Sequence, residues 1–360
     1  MIQKYSWHKL DFCMCIHDTN LLCTKMGCIM KRKIFIILIV CMIILFTIMP
    51  TIVSEGAKDG LLLWFMAIVP SLLPFMILSN ILIKLKVTKY INRFLKPVFS
   101  FIFGVSAEGS YPIIIGFLAG CPVGAKTTAQ LYKNKDIKRE EAQYLISFCN
   151  NLSPMFLIEF IGVKCLCLKS PFLVFVVIAA SSVINAWLFR LTGKIDFGKK
   201  VKQSVSVKVK ESIRKHDTKN DSNEKKYPIM EAVDESIGDS CETILKIGGY
   251  IILFSIITSI IEYVIPERYK IIGCVAAGIT EVSTGAMQLA KIKILKHSLF
   301  FITDIKIWTV IALCAFGGIS SVAQTYSVIS ETDLSIKDYV SAKVRQAFIA
   351  VVLALLVFRI

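Results

Sequence analysis

Two polar clusters broken by Gly and Pro sit inside sequence that is apolar enough for a membrane interior. They read Gly120-Cys121-Pro122-Val123-Gly124-Ala125-Lys126 and Phe148-Cys149-Asn150-Asn151-Leu152-Ser153-Pro154. Lipid offers no hydrogen bond to a freed backbone group. A helix interrupted at membrane depth therefore has to line a cavity or pack against protein. Paired interruptions of this kind mark the solute site of a transporter. The feature points to solute movement across a membrane.

Composition supports a membrane setting. The chain is 55% hydrophobic and 19% charged, against about 45–50% and about 25% in soluble domains. Its net charge of +16 comes from Lys and Arg residues between apolar runs, where they serve as topology signals and contacts to anionic lipid. No recognition motif accompanies that charge, so nucleic acid is not an expected partner. The twelve cysteines follow no disulfide spacing. Cys13, Cys15, His17, Cys23 and Cys28 fit no common zinc module. No metal, cofactor or catalytic constellation is expected, and the expected class is not an enzyme.

A span needs about 20 mostly apolar residues. Candidates are Ile34–Ile52, Gly60–Ile83, Gln143–Val163, Phe172–Leu191, Leu245–Ile265, Ile271–Ala290 and Ile305–Ser327. A shorter run, Ala347–Phe358, would span with Lys343 and Arg345 snorkelling. Residues 1–29 look foreign to the rest of the chain, and Met30-Lys31-Arg32-Lys33 reads as the natural start. Four regions result: the extension 1–29, a first membrane half 30–192, a charged linker 193–240 and a second membrane half 241–360. The basic residues place the N-terminus and the linker in the cytoplasm. A loop near Glu55, Lys58 and Asp59 is then outside. Pro97–Lys126 has basic sequence on both flanks, so it is either a re-entrant hairpin or two short crossings. Ile271–Ala290 is open in the same way between a hairpin and a full crossing.

The halves echo each other. Gly104-Val105-Ser106-Ala107-Glu108-Gly109-Ser110 precedes the Asn150 break, and Gly278–Gly285 precedes Phe316-Gly317-Gly318-Ile319-Ser320-Ser321. An internal structural repeat leaves such a trace. The fold class is therefore an all-α polytopic membrane protein, with about eight transmembrane helices plus re-entrant hairpins.

Glu108 and Glu281 are carboxylates at membrane depth. Either they contact a coupling ion (H+ or Na+) or the solute, or they cap helices at an interface. Thr280 and Ser283 flank Glu281 in the same polar path. Asn150, Asn151 and Ser153 beside Pro154 suit a polar ligand, as do Ser320 and Ser321 in the second half. Glu159 either extends that stripe or sits at a wet helix end. Gly120, Gly124 and Lys126 would set a helix N-terminus and a cation against a carboxylate or phosphate. Gly120 through Thr127 falls short of a P-loop, because Ala125 replaces a glycine and Pro122 removes a donor.

On Gly116–Lys126, Leu145–Pro154 and Gly278–Gly285 the chain resembles the YlbJ family of sporulation integral membrane proteins, from about Met30 to its C-terminus. Cys121 stands where that pattern has an aromatic residue, and Leu152 where it has something smaller. The resemblance implies a nucleoside-recognition Gate domain in two repeats. It also implies a role in spore formation, moving dipicolinic acid from the mother cell across the outer forespore membrane. Dipicolinate is a small aromatic dianion that Asn150, Asn151, Ser153 and Lys126 would suit. A nucleoside transporter and a non-transporting scaffold of spore assembly stand as alternatives. The expected partners are the bilayer, an anionic solute or nucleoside and a coupling ion, with homo-oligomer formation open.

Overall fold

The computed structural model describes residues 33, 36–85, 97–191, 229–292 and 299–358. The extension 1–29 and linker residues 193–228 lie outside them. Among the described residues all regular structure is helical. Five helices are long and apolar enough to cross a membrane: Pro50–Leu82, Phe172–Leu191, Ile229–Val264, Ile305–Ile329 and Ile336–Val357.

The chain forms two units, Met1–Thr51 and Ile52–Ile360. In the first, Ile36–Ile48 (α1) is a short apolar helix. From Pro50 the chain is helical again. Helix α2 (Pro50–Leu63) runs through a π-helical turn, Trp64–Ile68, into α3 (Val69–Lys84). The wide turn is closed by the Val69 N–H on the Trp64 carbonyl. It directly precedes Pro70, which has no N–H to give. Glu55, Lys58 and Asp59 thus lie on a helix, not in the expected outer loop. The helix persists through them because Gly56 and Gly60 beside them let it pack closely on Ile252, Ser255 and Ser259.

A short helix at 97–103 (α4) leads to the first hairpin. Helices α5 (Ser110–Ala119) and α6 (Val123–Lys133) are joined by a tip at residues 120–122. They meet at a seam of small residues. A Cβ on Gly124 would lie 2.9 Å from the Gly116 Cα, and one on Gly116 would lie 2.0 Å from the Cys149 carbonyl oxygen. Helix α7 (Arg139–Cys149) breaks at 150–153 and resumes as the π-helical stretch Phe156–Cys165, followed by α8 (Phe172–Leu191).

The second half repeats this plan. Helix α9 (Ile229–Val264) begins inside the segment read as linker, with Ala232, Ser236 and Ser240 buried. Helices α10 (Lys270–Thr280) and α11 (Val282–Lys291) form a hairpin with its tip at Glu281. A Cβ on Gly285 would lie 2.1 Å from the Gly278 Cα. Ile271–Ala290 is therefore a hairpin and not a full crossing. Helix α12 (Leu299–Phe316) breaks at Gly317, and α13 (Gly318–Ile329) and α14 (Ile336–Val357) complete the half.

The repeat is real, but its register differs from the one read in the sequence. Gly278–Gly285 matches Gly116–Gly124, each pair flanking a hairpin tip. Gly104–Ser110 is a turn ahead of the first hairpin. Glu108 made that turn look like the partner of the Glu281 tip.

The two hairpins enter from opposite ends. Lys84 pairs with Glu235 at 2.7 Å and Asp239 at 2.9 Å near the start of α9. Lys126, on α6, reaches Thr243 close by. Glu262, near the far end of α9, lies in the field of both Lys270 and Lys291, the two feet of the second hairpin. Asp239 and Glu262 stand about 35 Å apart along a helix rising about 1.5 Å per residue. An inverted repeat of this form brings both tips to the centre of the protein.

Candidate functional site where hairpin tips meet helix breaks

Pro154 cannot donate a hydrogen bond to the turn before it, and α7 stops at Cys149. Three of the carbonyls nearby find partners. Asn185 Nδ2 donates to the Ser147 oxygen at 3.2 Å, and Asn151 Nδ2 and Ser182 Oγ donate to the Phe148 oxygen at 2.7 and 2.5 Å. The Cys121 N–H, from the first hairpin tip, donates to the Asn151 oxygen at 2.6 Å. Ser153 Oγ accepts from the Phe156 N–H at 3.3 Å and caps the resumed helix. A break is tolerated at this depth because the tip satisfies it.

Gly120 makes that docking possible. Its φ is +80°, and a Cβ there would lie 2.7 Å from the Ser153 nitrogen. The next residue crosses to the other half, with Cys121 Sγ 3.4 Å from Ser321 Oγ. The Cys121–Pro122 peptide is cis. At the second tip, Glu281 Oε2 accepts from the Thr284 N–H at 2.7 Å and caps α11. This tip rests on the second break, where a Cβ on Gly318 would lie 3.2 Å from the Val282 nitrogen.

A cavity of about 50 Å³ lies where the four segments meet. Its polar wall is Cys121, Ser153, Glu281, Ser283, Ser320, Ser321 and Gln324, and its apolar wall includes Leu72, Phe156, Ile247 and Ile251. A larger space of about 650 Å³ opens at the α6 side, lined by Pro122, Lys126, Lys133, Lys246, Gln324 and Glu331 among others. Ile247 and Gln324 line both, so the large space adjoins the small one as a vestibule on the α6 side. The inner cavity has room for only a few waters, whereas the vestibule has the volume of a small-molecule site.

Four helix starts converge here. The Phe156 stretch is capped by Ser153, α6 starts beyond Pro122, α11 starts beyond Glu281, and α13 carries Ser320 and Ser321 in its first turn. Each turns the positive end of its dipole toward the centre, although the first N–H groups of α6 already bond the Gly120 carbonyl. Glu281 occupies one of them, and the other three carry no carboxylate cap.

The nucleoside-recognition Gate family matches residues 65–182, a range that holds the first hairpin and the first break. The chain is also 26% identical over 332 residues to the sporulation integral membrane protein YlbJ of Bacillus subtilis (strain 168), covering 85% of this chain and 77% of that protein. The similarity to YlbJ runs through both halves of the chain. No solved structure matches it. The Gate match includes Cys121 and Ser153 of the cavity's polar wall. Glu281, Ser283, Ser320, Ser321 and Gln324 come from beyond it.

The structure sorts the residues singled out in the sequence. Ser153, Glu281, Ser283, Ser320 and Ser321 line the cavity. Asn150 and Asn151 form a layer behind it. Asn150 Nδ2 donates to Thr325 Oγ1 at 2.8 Å and Tyr339 Oη at 3.0 Å, tying the first break to α13 and α14. Asn151 Oδ1 accepts from Lys343 at 2.9 Å and Gln346 at 2.8 Å. Gly120 and Gly124 are packing residues. Lys126 lies in the vestibule, 3.4 Å from Thr243 Oγ1. Thr280 donates to its own helix at the Ala276 oxygen. Glu108 and Glu159 are exposed, and Glu159 faces Lys164 at 3.2 Å. They stand outside the site because a turn and a helix face, respectively, point them outward.

Sequence reading missed Gln324, Cys121, Glu141 and Lys343. Glu141, not Glu108, is the buried carboxylate of the first half, and its Oε1 accepts from the Ser106 N–H at 2.7 Å. Lys343 does not snorkel. It is 2% exposed, on a face shared with Tyr339, Gln346, Ala350 and Ala354. That helical spacing was present in the sequence, one turn ahead of the apolar run that drew the eye.

Proposed function

We propose that this protein moves a small anionic solute across its membrane by alternating access at the cavity between the hairpin tips. Four helix starts with a single carboxylate cap among them carry this reading, since positive dipole ends favour a negative ligand. The vestibule adds to it. Lys126 has no carboxylate within 4 Å among the described residues, while Lys133 and Lys246 beside it are paired with Glu331 and Glu242, which leaves Lys126 as the cation that supports the reading. The inner cavity is too small for such a solute, so passage requires the tips to part from the breaks. The inverted arrangement suits that rocking motion.

Dipicolinate, a planar dianion, is the solute that best joins this chemistry to the sporulation family, with transport across the outer forespore membrane. The Gate match and the neutral Ser and Gln lining favour a second reading, a nucleoside transporter. In either case the role is transport and not catalysis.

The test is sporulation by cells carrying Asn150→Ala or Glu281→Gln. Both variants should reach the membrane at normal level and yield spores lacking their solute. Normal spores from both variants would indicate a scaffold instead.

A further inference from the structure

The centre of the protein buries an ammonium group with no carboxylate partner. Lys343 lies roughly 10 Å along α14 from its start at Ile336, at about 1.5 Å per residue. Its Nζ donates to Asn151 Oδ1 at 2.9 Å and Gln346 Oε1 at 3.0 Å. No Asp or Glu comes within 4 Å of it among the described residues. A buried charge held only by neutral oxygens is costly, and at membrane depth it marks function.

The surrounding bonds fix these oxygens in place. Asn151 Nδ2 is committed to the Phe148 carbonyl and Ser182 Oγ, so its oxygen has to face Lys343. Gln346 Nε2 donates to the same Asn151 oxygen at 2.8 Å, which turns its own oxygen to the ammonium. The result is a pair of fixed amide oxygens facing the ammonium beside an unwound helix. In transporters that is the setting in which a monovalent cation from solution is held.

We infer that Lys343 is a tethered cation, its ammonium filling a monovalent-cation site at the first helix break that Na+ or K+ would otherwise occupy. It joins α14 to the break, and through Asn151 to the Cys121 tip. The site stands on these contacts alone. Its consequence, that solute movement needs no Na+ at this break, rests on the transporter reading.

The experiment is thermal unfolding of the full chain in detergent, in choline, sodium or methylammonium chloride at equal ionic strength. Wild type should respond little to the choice of cation. Lys343→Ala should unfold several degrees lower in choline and recover most of that loss, saturably, in sodium or methylammonium. Lys343→Met, which fills the space without charge, should unfold lower in every salt and show no recovery. An Ala variant indifferent to the cation, or a wild type that gains as much from sodium, would overturn the inference. If the Ala variant folds only when purified in methylammonium, that supports it. Failure to fold in any salt counts against it. In proteoliposomes, wild-type flux should be unchanged when choline replaces sodium, and sodium-dependent flux would refute the consequence. Absence of all flux would count against the transporter reading, with the unfolding measurements still deciding the cation site.

Discussion

At the scale of single residues, the hairpins depend on glycines that no other residue can replace. Gly285 and Gly278 bring two helices within backbone contact. Gly285→Ala should cost about 1–3 kcal/mol or more, because the colliding atoms are backbone and cannot rotate away. The expected result is a lower unfolding temperature and reduced accumulation in the membrane. Gly249→Ala is the control, since it lies on an exposed helix face with nothing within 4 Å. It should be neutral or slightly stabilising. Equal behaviour of the two variants would remove the seam's role in holding the hairpin. Such glycines were legible in the sequence as Gly/Pro punctuation, but their partners were not. Gly116 needed Cys149, and Gly120 needed Ser153, contacts that only the folded chain supplies. Lys343 was hidden for another reason. A lysine near a helix end reads as an anchor, and only the Tyr339–Gln346–Ala350 face shows it turned inward.

At the scale of elements, the first hairpin is pinned at its foot by an ionic clamp. Tyr132 Oη donates to Asp333 Oδ1 at 2.8 Å, and Arg139 Nε donates to Asp333 Oδ2 at 2.7 Å. Lys133 pairs with Glu331 beside them. The Tyr132 hydroxyl and the Arg139 guanidinium hold the Asp333 carboxyl below its ordinary value of 3.8. A carboxyl depressed on folding stabilises the fold above its unfolded value. That contribution fades as pH falls from about 4 through the lower folded value. The clamp is exposed, so its energy is small, and its effect is local. Asp333→Asn at neutral pH should raise deuterium uptake in residues 330–335 and 132–139 and leave α12 unchanged. Unchanged uptake at the clamp would mean that packing alone seats the hairpin. The broken helices were readable from their Gly, Pro and Asn residues, and charge topology pointed to a hairpin or two short crossings over Pro97–Lys126, whereas the hairpin runs from Ser110 to Lys133 behind a separate helix at 97–103. The second hairpin was not readable, because Lys291 mimics the end of a full crossing. The structure places it at the same end as Lys270, beside Glu262.

At the scale of the whole molecule, two inverted halves meet at one small cavity that opens by a vestibule to one end. Each half contributes a hairpin tip and a helix break; the first tip satisfies backbone that its break exposes, and the second packs closely against its break. The signal for two such halves was present in Asn150 and Ser320. The register between them was misread, since similar residue types at Glu108 and Glu281 suggested a match that the backbone does not make. The proposed path takes an anion between the two tips. Uptake of dipicolinate and of uridine into proteoliposomes tests it most directly, with wild type compared with Ser320→Trp, which fills the inner cavity. Passage between the tips predicts saturable dipicolinate uptake by wild type, little uridine uptake, and background uptake of both by the variant. Background-level movement of both solutes by wild type, or equal dipicolinate uptake with the cavity filled, would contradict it.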